Sequence, residues 1–334
     1  MNFTSNRLGG GGGSRANPQA TVERNAGNLL WAWALIVLLG IVDWIWADHA
    51  GFSFVGWRSV FFTLPILGLI AGVYGFTGRS KRLADAGHFA ALWVAFSVVG
   101  CIFTYLAADL RMPLRDAALA RLDAALGFNW YAWSGFIAAH RVPDIVLECA
   151  YLTFLPQIIG AILYFAHTER TDRNRELLWI GMLSLIVTTI ISGYLPALGP
   201  YVQSPPAWTA ALLGVRSGTV STFKFDEMQG IITMPSFHAA MAIQLIYVHR
   251  PPSRSFLSLL LLNVLMLVSI PSGGNHYLTD VIAGVAVAAL SIAIVRVTVK
   301  TQIGQPEREL AQMADSYDRD TRDEAIRVSS GARG

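Results

Sequence analysis

Apolar runs close to the length needed to cross a bilayer recur along the chain, separated by short polar stretches. They predict membrane-spanning helices at 29–46, 57–76, 88–108, 144–166, 177–195, 235–248, 256–270 and 277–297, the sixth and seventh being the shortest. The stretch 113–139 follows another pattern. Leu114, Ala118, Leu122 and Leu126 recur every four residues, while Arg115, Asp116, Arg121 and Asp123 fall elsewhere, which predicts helices lying at the membrane surface. Residues 1–28 are polar and carry a Gly9–Gly13 run, and residues 301–334 are rich in charge; both read as flexible tails around one membrane domain at 29–300. The first apolar run begins near Leu29 and is too long for the apolar core of a cleavable leader. The expected fold class is all-α, a polytopic transmembrane helical bundle of about eight spans.

Composition agrees with a membrane location and narrows the function. Hydrophobic residues make up 54% of the 334 and charged residues 14%, where a soluble domain carries about 25% charged. The formal net charge of +3 excludes a strongly basic nucleic-acid binder. Cys101 and Cys149 both sit inside apolar runs, which argues against a disulfide framework or a thiolate metal site. With the N-terminus inside, alternate loops and tails assign 18 basic residues to the inner side and 7 to the outer. By the positive-inside rule both termini face the cytoplasm.

Two short stretches stand apart from membrane filler. The first is Met234-Pro235-Ser236-Phe237-His238-Ala239-Ala240 at the opening of the sixth span. Proline suits a first helical position, and the free N–H groups that follow make a ready anion site. The plain alternative is a capping Ser–His pair. The second is Gly273-Gly274-Asn275-His276-Tyr277-Leu278-Thr279-Asp280 at the opening of the eighth span. His276 and Asp280 are four apart, so on a helix they share a face, and a carboxylate inside a span calls for a partner. Such a pair fixes the imidazole tautomer and leaves the other ring nitrogen outward, as in a nucleophile–orienter pair; the alternative is a pair that only satisfies itself. In the alternating topology both stretches open at the outer membrane face, so two histidines meet at one depth.

These residues carry a family resemblance. Pro235-Ser236-x-His238 followed by His276-x-x-x-Asp280 resembles the second and third signature motifs of the type 2 phosphatidic acid phosphatase (PAP2) superfamily. His276-Tyr277-x-x-Asp280-Val281-Ile282, with Gly199-Pro200 upstream, looks most like its inositol phosphorylceramide synthase and sphingomyelin synthase branch. The resemblance implies a six-helix catalytic core preceded by about two further spans. It also implies His276 as the nucleophile that becomes a phosphohistidine, Asp280 as its orienter, and His238 as the acid that protonates the departing oxygen. Ser236 and the N–H of Phe237 would hold phosphate oxygens, with no metal or other cofactor.

The chain departs from the lipid phosphatases at named positions. It has no Lys-x6-Arg-Pro first motif, Ile270 stands where the third motif carries Arg (Ser269 is in place), and Phe237 stands where Gly is usual. Other cations must then meet the phosphate, and the candidates are Arg111, Arg115, Arg216 and Lys224. A phosphodiester needs fewer cations than a monoester. The departures therefore favour a transferase that moves a phosphate-bearing head group from a phospholipid or lipid phosphate to an alcohol or lipid acceptor at the outer face. The alternatives are a lipid phosphate phosphatase, a metal enzyme built on two His and one Asp, and a transporter with Asp43, Gln157 and Asn263 along a polar path.

Overall fold

The computed structural model describes residues 18–201 and 207–298. Its elements are α1 (Pro18–Ala50), β1 (Ser53–Val55), α2 (Arg58–Thr77), α3 (Lys81–Ala108), α4 (Asp116–Ala125), α5 (Trp130–Ala139), α6 (Arg141–Leu152), α7 (Phe154–His167), α8 (Thr171–Tyr194), α9 (Ala207–Ser217), β2 (Thr222–Lys224), α10 (Phe237–Val248), α11 (Phe256–Gly273) and α12 (Leu278–Thr298). Six helices among the described residues are long and apolar enough to cross a membrane. The expected fourth span is present but broken: α6 and α7 meet at Thr153 with a bend of 49°. The sixth expected span, α10, is a shorter apolar helix of 12 residues. The chain is a multi-pass integral membrane protein with an all-α bundle.

Two expectations shift. α1 starts at Pro18, well before Leu29, and Pro is tolerated in a first helical turn. Helix therefore occupies 18–28, where the sequence suggested a loose tail, while 1–17 and the expected tail at 301–334 lie outside the described residues. A small parallel sheet also forms, with Phe54 opposite Phe223, between strands of three residues each. It is an aromatic clasp: Phe223 packs edge-on against Phe52 and Tyr105.

The core sits where α3, α7, α8 and α10 meet. Phe89, Leu92 and Phe96 of α3 pack with Phe165 of α7, Leu177, Leu178 and Met182 of α8, and Met241 and Leu245 of α10. α2 stays outside this core, with Phe61, Phe62 and Phe76 exposed, the pattern of a helix bathed in lipid. Polar residues inside the bundle pair across helices. Asn263 Nδ2 donates to Gln157 Oε1 at 2.7 Å, and Ser184 Oγ bonds Ser291 Oγ at 2.9 Å. Interhelical bonding of this kind, rather than a polar path, accounts for Gln157 and Asn263. Asp43 differs, being 2% exposed with no partner for either carboxylate oxygen among the described residues. At the end of the bundle remote from His238 and His276, Glu176 accepts from Arg250 at 2.8 Å and lies 3.5 Å from Arg173.

Candidate active site

Both sequence motifs lie at helix openings, and both openings differ from the sequence expectation. Pro235 is not the first helical residue. Ser236 is the N-cap, its hydroxyl accepting from Ala239 N at 3.4 Å, and helix begins at Phe237. His276 likewise precedes its helix rather than sharing a helical face with Asp280. Tyr277 comes immediately before α12, and Asp280, in its first turn, reaches back to accept from Tyr277 N at 3.0 Å. That is the backward half of a capping box, made by an Asp. The same Oδ2 atom receives the Nδ1 of His276 at 3.3 Å. With Nδ1–H on Asp280, the His276 lone pair is on Nε2. His276 and Asp280 are 4% and 0% exposed, so the pair is desolvated.

The two openings are docked on each other. Ser236 N donates to the backbone oxygen of Asp280 at 3.0 Å, and Gly284, one turn further along α12, lies under Ser236. A β-carbon at Gly284 would collide with Ser236 O, so the approach requires glycine. Tyr151 places His238 beside His276, its ring stacking on His238 while its hydroxyl and the His276 ring both lie against Gly274. The stacked rings have centroids 4.6 Å apart and planes at 13°, and His238 leans on Phe154 at 4.2 Å. Neither ring nitrogen of His238 is hydrogen-bonded to the described residues. Phe237 turns away towards the core beside Phe154, so its side chain does not border the site and only its backbone faces it.

A second layer, unforeseen in the sequence, holds the turn that carries His276. α4 presents two carboxylates seven residues apart. Asp123 accepts from Leu278 N at 2.8 Å, Thr279 N at 2.9 Å and Thr279 Oγ1 at 2.6 Å. It thus caps α12 from another helix, where the positive end of the helix dipole favours an anion. Asp116 accepts from Leu198 N and Gly199 N, each at 3.0 Å, and from the Tyr277 hydroxyl at 3.4 Å. Gly199 has φ +76°, and a β-carbon there would meet Asn275 O, so Gly199-Pro200 packs directly on the turn that carries His276. Asn275 Nδ2 closes the contact by donating to Pro200 O at 3.0 Å. The inward face of α4 therefore carries Asp116, Leu119 and Asp123: Asp123 is 3% exposed and Leu122 51%. The amphipathic pattern was legible, but nothing in it separated Asp116 and Asp123, which face the fold, from Arg115 and Arg121, which stay exposed. Two Asp seven residues apart share a helical face, which is the only signal the sequence offered for this role.

The four candidate cations have different surroundings. Arg216 of α9 donates from Nη2 to Met112 O at 2.7 Å, and its buried Nη1 has no partner among the described residues. Burial pushes its guanidinium below the ordinary value while the charge of Asp116 acts the other way. Arg111 folds back on Asp109 at 2.8 Å beside Gly218. Arg115 opens α4, its backbone N donating to Pro196 O at 2.8 Å, with its side chain exposed. Lys224 lies on β2 and pairs with Glu227 at 3.0 Å, engaged elsewhere. Among the described residues no three His, Cys, Asp or Glu side chains converge as a metal-binding group.

No curated protein and no solved structure gives a significant match to the chain. A family model, that of the PAP2 superfamily, matches residues 117–294, a segment running from α4 nearly to the end of α12. The match covers more than half of the chain and both histidine-bearing turns, and so the chain belongs to the PAP2 superfamily.

Proposed function

We propose that this protein is a membrane phosphotransferase that moves a phosphate-bearing head group from a phospholipid or lipid-phosphate donor to an alcohol acceptor through a phosphohistidine, as in the inositol phosphorylceramide and sphingomyelin synthase branch. Membership of the superfamily carries the coarser reading, a lipid phosphatase or phosphotransferase. The observation that supports the chemistry is the His276–Asp280 pair at 3.3 Å, with His276 Nε2 lone pair free and an unbonded His238 ring nearby. In the first step Nε2 of His276 attacks phosphorus, the bond to the departing oxygen breaks, and His238 gives that oxygen its proton. Asp280 stabilises the positive charge that develops on His276. In the second step the acceptor oxygen attacks phosphorus, the phosphorus–nitrogen bond breaks, and neutral His238 takes the acceptor's proton. The Ser236 hydroxyl and the N–H groups of Phe237 and His238 at the α10 opening hold the phosphate oxygens.

Transfer is favoured over hydrolysis by the supply of cations. Of the four basic candidates, Arg111 and Lys224 are neutralised by Asp109 and Glu227, Arg115 stays on the exposed surface, and Arg216 alone has a buried N–H group without a partner. One guanidinium suits a phosphodiester with its single charge better than a phosphomonoester. The test is product analysis with a radiolabelled phospholipid donor, with and without added alcohol. Product that rises with acceptor concentration supports transfer. Inorganic phosphate released from a lipid phosphomonoester, indifferent to every acceptor, makes the protein a phosphatase.

The same reading sets the active face outward, periplasmic or luminal, with both termini cytoplasmic. Cysteine at Ala124, exposed on α4 beside the His276 turn, should react with an impermeant thiol reagent on intact cells while cysteine at Ser80 stays protected. Reaction at Ser80 alone reverses the orientation.

A further inference from the structure

A cavity of about 410 Å³ opens between α5, α6 and the end of α11, lined by Ser134, Asp144, Glu148, Tyr151, Ser272 and Gly273 among others. It lies next to the catalytic histidines, because Tyr151 is both part of its wall and the ring stacked on His238. Gly273 packs on the Tyr151 ring, and the Tyr151 hydroxyl lies over Gly274, two residues before His276. That hydroxyl makes no hydrogen bond to the described residues, and with Tyr151 half-buried in the cavity wall it is free to bond a ligand there. The roof is fixed: Trp130 of α5 donates to Pro271 O at 2.6 Å. Its volume falls in the range of small-molecule sites.

The chemistry of the lining selects a ligand class. Asp144 and Glu148 stand one turn apart on α6, and neither side chain has an ion pair or hydrogen bond among the described residues. Ser134 and Ser272 add two hydroxyls, and no basic residue lines the cavity. Such a wall takes hydroxyl donors and repels phosphate. The basic residues Arg111 and Arg216 stand instead by α9. We infer that this cavity receives the acceptor, a neutral polyhydroxyl head group, with the Tyr151 hydroxyl contacting the alcohol that reacts. The inference rests on the phosphotransfer reading above. In the transfer step the acceptor oxygen bonds phosphorus as the bond to His276 breaks, and its proton goes to His238.

Occupancy can be read without turnover. In the full chain, reconstituted in nanodiscs with Cys101 and Cys149 replaced by Ala, Ser134→Cys is labelled by a maleimide in the presence of sorbitol or of sorbitol 6-phosphate. Sorbitol should slow labelling and the phosphate ester should not. Adding Glu148→Gln should raise the sorbitol concentration needed for protection by about tenfold, the weight of one hydrogen bond to a charged group. Ala138→Cys serves as the reporter if the first variant does not fold. No protection by sorbitol, or equal protection by its phosphate ester, overturns the inference. Acceptor-dependent product without protection keeps the transfer reading and removes this pocket; protection without any acceptor-dependent product removes the transfer reading and leaves a polyol site.

Discussion

Removing the Asp123 carboxylate tests whether the catalytic turn is held from α4. Asp123→Ala deletes three hydrogen bonds of 2.6–2.9 Å at a position 3% exposed and leaves the Leu278 and Thr279 N–H groups without their acceptor. Each bond to a charged acceptor is worth roughly 1.5–3 kcal/mol in isolation, but losing a helix cap as a unit typically costs ~1–2 kcal/mol. Burial and the extra hydroxyl bond raise this, and about 3 kcal/mol is the expected loss for the Ala variant. Asp123→Asn keeps one acceptor oxygen but turns an NH2 group towards a backbone N–H, so about 1–2 kcal/mol is expected there. The turn also carries His276, and a displacement of 1 Å at reacting atoms costs about 10²-fold in rate. Thermal unfolding in detergent and lipid turnover are measured side by side for wild type, both Asp123 variants and Arg121→Ala, an exposed control on the same helix. The order of stability and of kcat should be wild type and Arg121→Ala, then Asn, then Ala. An Ala variant as stable and as active as the Arg121 control would refute the clamp.

Further expectations follow from the same contacts. His276→Gln should abolish turnover in a folded, membrane-inserted protein, and His238→Ala should slow it by the ~10²–10⁴-fold of a lost general acid; full activity in either variant removes that residue from the mechanism. Gly284→Ala, whose new β-carbon would collide with Ser236 O, should separate the two catalytic turns and lower kcat at least tenfold while the protein still inserts; wild-type kcat would show that their docking is dispensable. Asp43→Leu should stabilise the bundle by about 1–3 kcal/mol, because it removes a buried carboxyl with no partner; a lower unfolding temperature would mean that Asp43 is bonded in the native protein.

The histidines and the spans were legible for physical reasons. Crossing a bilayer demands apolar length, which is a local property, so six long helices, the bent α6–α7 pair and short α10 fall where apolar runs predicted them. Pro235-Ser236-x-His238 and His276-x-x-x-Asp280 were legible because each is a short polar run at the opening of an apolar span, and the family match spans both. Local rules fell short at the caps. Whether Pro235 or Ser236 opens α10, and whether His276 lies inside α12, depends on which backbone groups find partners across the fold.

What tertiary structure alone decided is the direction in which the polar groups face. Asp116, Asp123, Arg111 and Lys224 look alike in the sequence as charges near a membrane surface. Folding gives two of them the backbone N–H groups of distant segments, at Leu198–Gly199 and Leu278–Thr279, and gives the others neighbouring carboxylates. Tyr151, an ordinary aromatic residue of a broken span, becomes the wall between His238 and a polar cavity only because α11 ends against it at Gly273. A sequence states which groups must be satisfied, since an unpaired charge or N–H away from water is costly wherever it lies. Which partner satisfies each one is a property of residues brought together from far apart in the chain, and local spacing carries no record of it.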